Sequence, residues 1–264
     1  MALRLQLIGG GRMGEALLGG LLGGGWAQPG ELAVVEKISD RRADLANRFP
    51  GIAVVEHPAE RADAVLAVKP DDAAAAGARL REAGVDRVLS IAAGITTTAL
   101  QAVLEDGARV IRAMPNTPAL VGAGAAAVAP GSHATDEDLV WATSILEAVG
   151  TVVVCDEMML DAVTGLSGSG PAYVFWLAET LMAAGVEVGL SPDVADALTR
   201  QTILGAARLL KESGEPPADL RAAVTSPGGT TARGIAELEA RGAADAFAAA
   251  VRAATERSRE LGKH

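Results

Sequence analysis

Cysteine is nearly absent: the 264-residue chain has only Cys155, so no intrachain disulfide can form and the expected compartment is the reducing cytoplasm. Aromatic residues are scarce at 3%, and Trp26, Trp141 and Trp176 are too dispersed for a stacking platform, which leaves core packing as their reading. His57, His133 and His264 are scattered, and with Cys155 they show no zinc-ligand spacing, so no metal is expected. No nucleophile elbow or hydrolase constellation occurs. Gly and Pro interrupt every apolar run before it reaches the about 18 residues of a membrane span. The start of the chain lacks a signal-peptide pattern, so neither span nor leader is expected. Positive charge is also short: a net charge of -10 removes the basic field that nucleic-acid binding needs.

What is abundant is apolar and small. Hydrophobic residues make up 50%, and 31 glycines suit close helix and loop approaches in a folded enzyme. Leu3 to Ile8, Leu32 to Glu36, Ala64 to Val68, Val85 to Ile91 and Ala108 to Arg112 read as buried strands. Helix-compatible sequence lies between them, including Glu15 to Gly24 and Asp40 to Arg48. Such alternation predicts a mainly parallel sheet covered on both faces. Gly124 to Ala129 and Thr151 to Cys155 are the last strand candidates, flanking a helix at Asp136 to Val149. Beyond residue 160 the strands stop, and Tyr173 to Gly185, Pro192 to Ser213 and Ala232 to about Arg259 carry helical patterns. The expectation is an α/β, Rossmann-like domain at 1-160 and an all-helical domain at 161-264 whose Ala-rich helices suit dimerisation.

Gly9, Gly11 and Gly14 stand in G-x-G-x-x-G spacing after a strand and at the start of a helix. The first permits a tight turn, the second clears a Cβ from an approaching pyrophosphate, and the third lets helix pack on strand. With Gly10, Arg12 and Met13 they form the candidate dinucleotide site, against the simpler reading of a tight turn. Glu36, 22 residues after Gly14, is placed to accept hydrogen bonds from an adenosine ribose. Lys37, Ser39, Arg41 and Arg42 crowd the same loop and suit a 2′-phosphate or a solvated charge cluster. NADPH and NADH both stay open.

Val68-Lys69-Pro70, Ala92-Ala93-Gly94 and the Asn116 loop follow strands on one sheet edge, where nicotinamide is expected. Asn116, between Pro115 and Pro118, reads as a ribose or water ligand or as a turn cap, and Arg112 as a site residue or a buried structural donor. In the second half, Thr164 to Pro171 and Val224 to Thr231 read as small-residue loops before helices. Each suits a carboxylate cradle or an ordinary N-cap.

Gly9 to Gly14, Val68-Lys69-Pro70, Ser90 to Ile95, Met114 to Pro118, Thr164 to Tyr173 and Val224 to Thr231, in that order, resemble pyrroline-5-carboxylate reductases. The resemblance implies reduction of the cyclic imine (S)-1-pyrroline-5-carboxylate to L-proline, the last step of proline biosynthesis, with NADPH or NADH. It implies a nucleotide-binding domain, a helical domain that dimerises by interleaving, and decamers beyond the dimer. Ser226, Gly228, Gly229 and Thr230 would hold the substrate carboxylate, and Thr231 would approach the ring nitrogen. Glu212 and Glu215 receive no role. A hydroxyacid dehydrogenase would need a substrate-facing Lys or His, for which the second half offers only Lys211, Lys263 and His264. A non-catalytic dinucleotide sensor is the other alternative.

Overall fold

The computed structural model describes residues 3–262; Lys263 and His264 lie outside the described residues. Two compact units emerge, one holding the chain up to Ser169 together with the residues from Arg252 onward, the other Gly170–Val251. The texture change near residue 160 falls close to the first join, but the chain's last turns return to the first unit. There Ser258 Oγ donates to Asp161 Oδ1 at 2.7 Å.

The first unit is built on strands β1 (Leu5–Ile8), β2 (Leu32–Val35), β3 (Ala53–Val55), β4 (Ala64–Leu66), β5 (Arg87–Ser90), β6 (Arg109–Met114), β7 (Gly124–Pro130) and β8 (Gly150–Val154). They form one sheet in the order β3-β2-β1-β4-β5-β6-β7-β8, parallel throughout except between β6 and β7. Leu7 stands opposite Val34 on one side and Val65 on the other, so the central strands are aligned with their carboxyl ends together.

Alternation sends neighbouring apolar residues to opposite faces, and both faces are covered. Leu5, Leu7, Val34, Val65, Leu89 and Ile111 pack with Leu17, Leu18 and Leu21 of α1 (Arg12–Gly23), Leu45 of α2 (Ser39–Arg48), and Ile145 and Leu146 of α5 (Asp136–Glu147). Ile8, Val35, Leu66, Val88 and Val110 pack on the other side with Leu80 of α3 (Ala73–Glu82) and Leu100 of α4 (Thr97–Gln101). Each fully buried leucine of α1 contributes about 1.5–3 kcal/mol of transfer free energy. At the start of α5, Thr135 and Asp138 cap each other, and the fully buried Asp138 carboxylate also meets Arg109 at 3.0 Å.

After α6 (Leu160–Val163) the helical path widens into a π turn at Thr164–Gly168 and continues as α7 (Gly170–Glu187). The expected loop at Thr164 to Pro171 is therefore helical. Ser169 N–H reaches back five residues to Thr164 O at 2.8 Å. The Thr164 and Ser167 hydroxyls donate to carbonyls of their own helix, so neither forms a cradle loop.

The second unit adds α8 (Pro192–Ser213), α9 (Pro217–Ala223), α10 (Thr230–Ala240) and the start of α11 (Ala243–Leu261). The continuous helix expected from Ala232 to about Arg259 is broken at Gly242, whose φ of +70° lies in the left-handed region. Within residues 170–251 only Ala195 and Thr199 are buried, while Phe175, Trp176, Leu198 and Leu209 are all more than half exposed. These helices do not close a core by themselves.

Candidate active site

The turn between β1 and α1 owes its shape to its glycines. Gly9 has φ +105°, and a Cβ there would meet Ala67 O at 2.6 Å; one on Gly14 would meet Gly9 O at 2.2 Å. At Gly11, the N-cap of α1, a Cβ would meet nothing within 4 Å. As the N-cap, Gly11 stands next to the first-turn N–H groups of α1, a kind of helix start that suits an anion. Arg12 is exposed there, and Met13 packs against the core. Glu15 faces Arg41 and Arg48; burial alone would raise its pKa, but their hydrogen bonds outweigh it and hold the carboxyl below its usual range.

Glu36 is buried where β2 ends. Its Oε2 accepts the Gly10 N–H at 3.0 Å and its Oε1 the Ile38 N–H at 2.9 Å, so it braces the glycine turn against the next loop. Beside it opens a cavity of about 330 Å³ that Gly9, Gly11, Glu36, Lys37, Val68 and Lys69 help to line. The sequence pattern thus brings these six together. The arginines of the loop are engaged elsewhere. Arg41 donates to Gly10 O and pairs with Glu15 and Asp44, while Arg42 donates to Glu36 O and Lys37 O. Lys37 stays on the exposed rim, hydrogen-bonded at 2.8 Å to Asp72, which raises its pKa.

Asp72 and Arg79 also line this cavity, and sequence reasoning passed over both. Their signal was helical spacing after Lys69-Pro70, which turns residues 72, 75, 76 and 79 to one side.

On the other half of the sheet edge, Pro70 opens a 3-10 turn, and Ala92 is buried between exposed Ala93 and the β5 end. Gly94 has φ +76°. Asn116 is buried, its amide engaged by the Ala125 N–H and Ser167 O rather than turned to an open cleft. Arg112 takes the structural reading: its guanidinium donates at 3.2 Å to Glu157, which in turn accepts from the Thr97 N–H and hydroxyl.

In the second unit, the chain turns at Ser226–Gly229 between α9 and α10. Gly228 has φ +69°, and the Gly229 N–H donates to Ser226 O at 3.0 Å, closing the turn. Gly229 is the N-cap of α10, so Thr230 and Thr231 occupy its first turn with exposed side chains. Ser226 is exposed beside them. First-turn amides with hydroxyls beside them are chemically suited to an anion. The Thr225 hydroxyl is used within the protein, donating to Arg221 O at 2.6 Å.

A parallel sheet with a glycine turn leading into an open helix start defines a Rossmann-type dinucleotide-binding protein. A family model described as pyrroline-5-carboxylate reductase dimerisation matches residues 157–261, and one described as NADP oxidoreductase coenzyme F420-dependent matches residues 4–94. The pyrroline-5-carboxylate reductase of Synechocystis sp. is 44% identical over 100% of each chain. A solved pyrroline-5-carboxylate reductase from Coxiella burnetii aligns over 100% of each chain with TM-score 0.93 and 35% identity. The Plasmodium falciparum pyrroline carboxylate reductase with NADP bound gives 0.85 and 29% over 98% of each. The chain belongs to the pyrroline-5-carboxylate reductase family. The apolar surface left open on the second unit lies within its dimerisation region, which makes the protein a homo-oligomer.

Proposed function

We propose that the chain reduces (S)-1-pyrroline-5-carboxylate to L-proline with NADPH or NADH, the last step of proline biosynthesis. The observation that carries this reading is the unobstructed helix start at Gly11 in a chain of this family. That open space and the first-turn amides fit a dinucleotide pyrophosphate, and bound nicotinamide supplies the hydride for the imine carbon. As the C=N bond is reduced, its π electrons pass to nitrogen and one proton is consumed overall. A protonated imine already accepts hydride well, so the residues serve chiefly to align it and exclude water.

Ser226, Gly228, Gly229 and Thr230 form the substrate cradle in this reading. Gly229 shapes it by closing the turn, and the hydroxyls and following amides meet the carboxylate. The Thr231 hydroxyl holds the ring nitrogen. An unperturbed hydroxyl is a weak acid, so it positions rather than donates a proton. Functionally, residues 1-160 serve the dinucleotide and 161-264 the substrate and the dimer, with a cytoplasmic decamer as the larger assembly.

A hydroxyacid dehydrogenase is not favoured; Lys211 is exposed in the last turn of α8. Oxidation of NADPH that requires added pyrroline carboxylate, repeated with NADH, tests the proposal. Cofactor binding without such turnover would leave only the sensor reading.

A further inference from the structure

The π turn at Thr164–Gly168 contains a hydrogen-bonding problem written into the sequence. An α-helix satisfies the Ser167 carbonyl with the N–H four residues on, and that residue is Pro171, which has none. Asn116 supplies the missing donor: its Nδ2 lies 3.0 Å from Ser167 O, while its Oδ1 accepts the Ala125 N–H at 2.8 Å. These partners fix the amide's orientation, because the oxygen meets a donor and the nitrogen an acceptor. Asn116 follows the end of β6 closely and is buried. On the same turn, a Cβ at Gly168 would stand 2.7 Å from Met114 Cε, so the turn lies directly on the end of β6. Wide turns of this kind occur often at functional sites.

We propose that Asn116 is a positioning residue: by supplying the hydrogen bond that Pro171 cannot, it locks the π turn to the end of β6, beside the expected nicotinamide position. It acts through the turn and not by touching cofactor, since both ends of its amide are engaged by backbone groups. The catalytic part of this inference rests on the reductase reading above.

The test is a double-mutant cycle. Asn116→Asp keeps an acceptor for Ala125 but loses the donor to Ser167, and Asn116→Ala repeats the loss without adding charge. Pro171→Ala restores an N–H four residues after Ser167. With Pro171 in place, kcat should fall about ten- to a hundredfold, as for a small misplacement of a reacting centre, with NADPH Kd within about twofold of wild type. Combined with Pro171→Ala, the same Asn116 substitutions should cost less than about threefold in kcat relative to Pro171→Ala alone. Equal losses in both backgrounds, or a loss carried wholly by NADPH Kd, would overturn the proposal.

Should the single Asn116 variants not fold, thermal melting decides. Folded double variants support the clamp, and double variants that also fail to fold refute it. Wild-type turnover is the separate control: its absence would sink the reductase reading and leave the clamp to be judged by melting alone.

Discussion

Two neighbouring glycine substitutions should have opposite signatures. At Gly14, an added Cβ would stand 2.2 Å from Gly9 O, short of ordinary contact by more than 1 Å, and its obstacle is backbone. Gly14→Ala must therefore push α1 away from β1, an overpacking cost of about 1–3 kcal/mol, or roughly 2–4 °C of Tm per kcal/mol for a unit of this size. The shift also moves the Gly10 N–H from Glu36, now 3.0 Å apart, so cofactor affinity falls with stability. At Gly11, the backbone has φ -70° and ψ -174°, which alanine adopts freely, and the Cβ meets nothing within 4 Å. Gly11→Ala should leave stability within about 0.5 kcal/mol of wild type. Its methyl group instead fills the path of the pyrophosphate, and NADPH Kd should rise about ten- to a hundredfold, or about 1.4–2.8 kcal/mol. Fluorescence titration of NADPH beside thermal denaturation measures both. A Gly11→Ala protein that binds NADPH like wild type would refute the placement of the pyrophosphate at this turn.

Thr231→Ala should leave NADPH affinity nearly intact and lower kcat/KM for pyrroline carboxylate by about ten- to a hundredfold, the value of one hydrogen bond of about 1.5–3 kcal/mol that strengthens in the transition state. Thr231→Ser should retain most activity, and a Thr231→Ala protein with wild-type kinetics would remove Thr231 from the substrate site. Glu36→Gln takes a negative charge from beside the cavity and should shift the NADPH-to-NADH affinity ratio toward NADPH by about tenfold; an unchanged ratio in parallel titrations contradicts this. Burial alone would raise the Asp138 pKa, but hydrogen bonds from Thr135 and the charges of Arg109 and Arg87 hold it below its ordinary value. Its stabilisation is therefore present above the ordinary carboxylate range and lost as pH falls through the folded-state value. Asp138→Asn should destabilise the protein by about 3 kcal/mol at neutral pH and flatten the loss of Tm toward about pH 3; equal acid sensitivity in both proteins would exclude this role.

Much of the sheet was legible because buried parallel strands must be apolar throughout. Leu5–Ile8, Leu32–Val35 and Ala64–Leu66 each read as a short continuous run. β3 escaped notice because it has three residues, lies at the sheet edge and leaves Ala53 and Val55 exposed, so it carries no pattern. Gly and Ser at 164–170 suggested a loop, whereas their small side chains let a widened helix lie against β6. The site was half legible. Spacing located the glycine turn, because backbone sterics demand Gly9 and Gly14 there. It did not reveal that Glu36 braces the turn or that Arg41 and Arg42 are engaged with carbonyls and carboxylates, because such partners lie across strands and loops rather than along the chain.

The return of α11 to the first unit has a consequence during synthesis. Domains commonly fold in order as they leave the ribosome, but here residues from Arg252 onward belong to the unit that contains the first strand. The sheet can form early, yet the face that receives Ser258 at Asp161 stays unfinished until the second unit has been made. The intervening segment, with almost nothing buried among its own residues, emerges before that face is complete, and its exposed apolar surface falls within the dimerisation match. Where a second copy closes that surface, the last stage of folding is expected to depend on chain concentration.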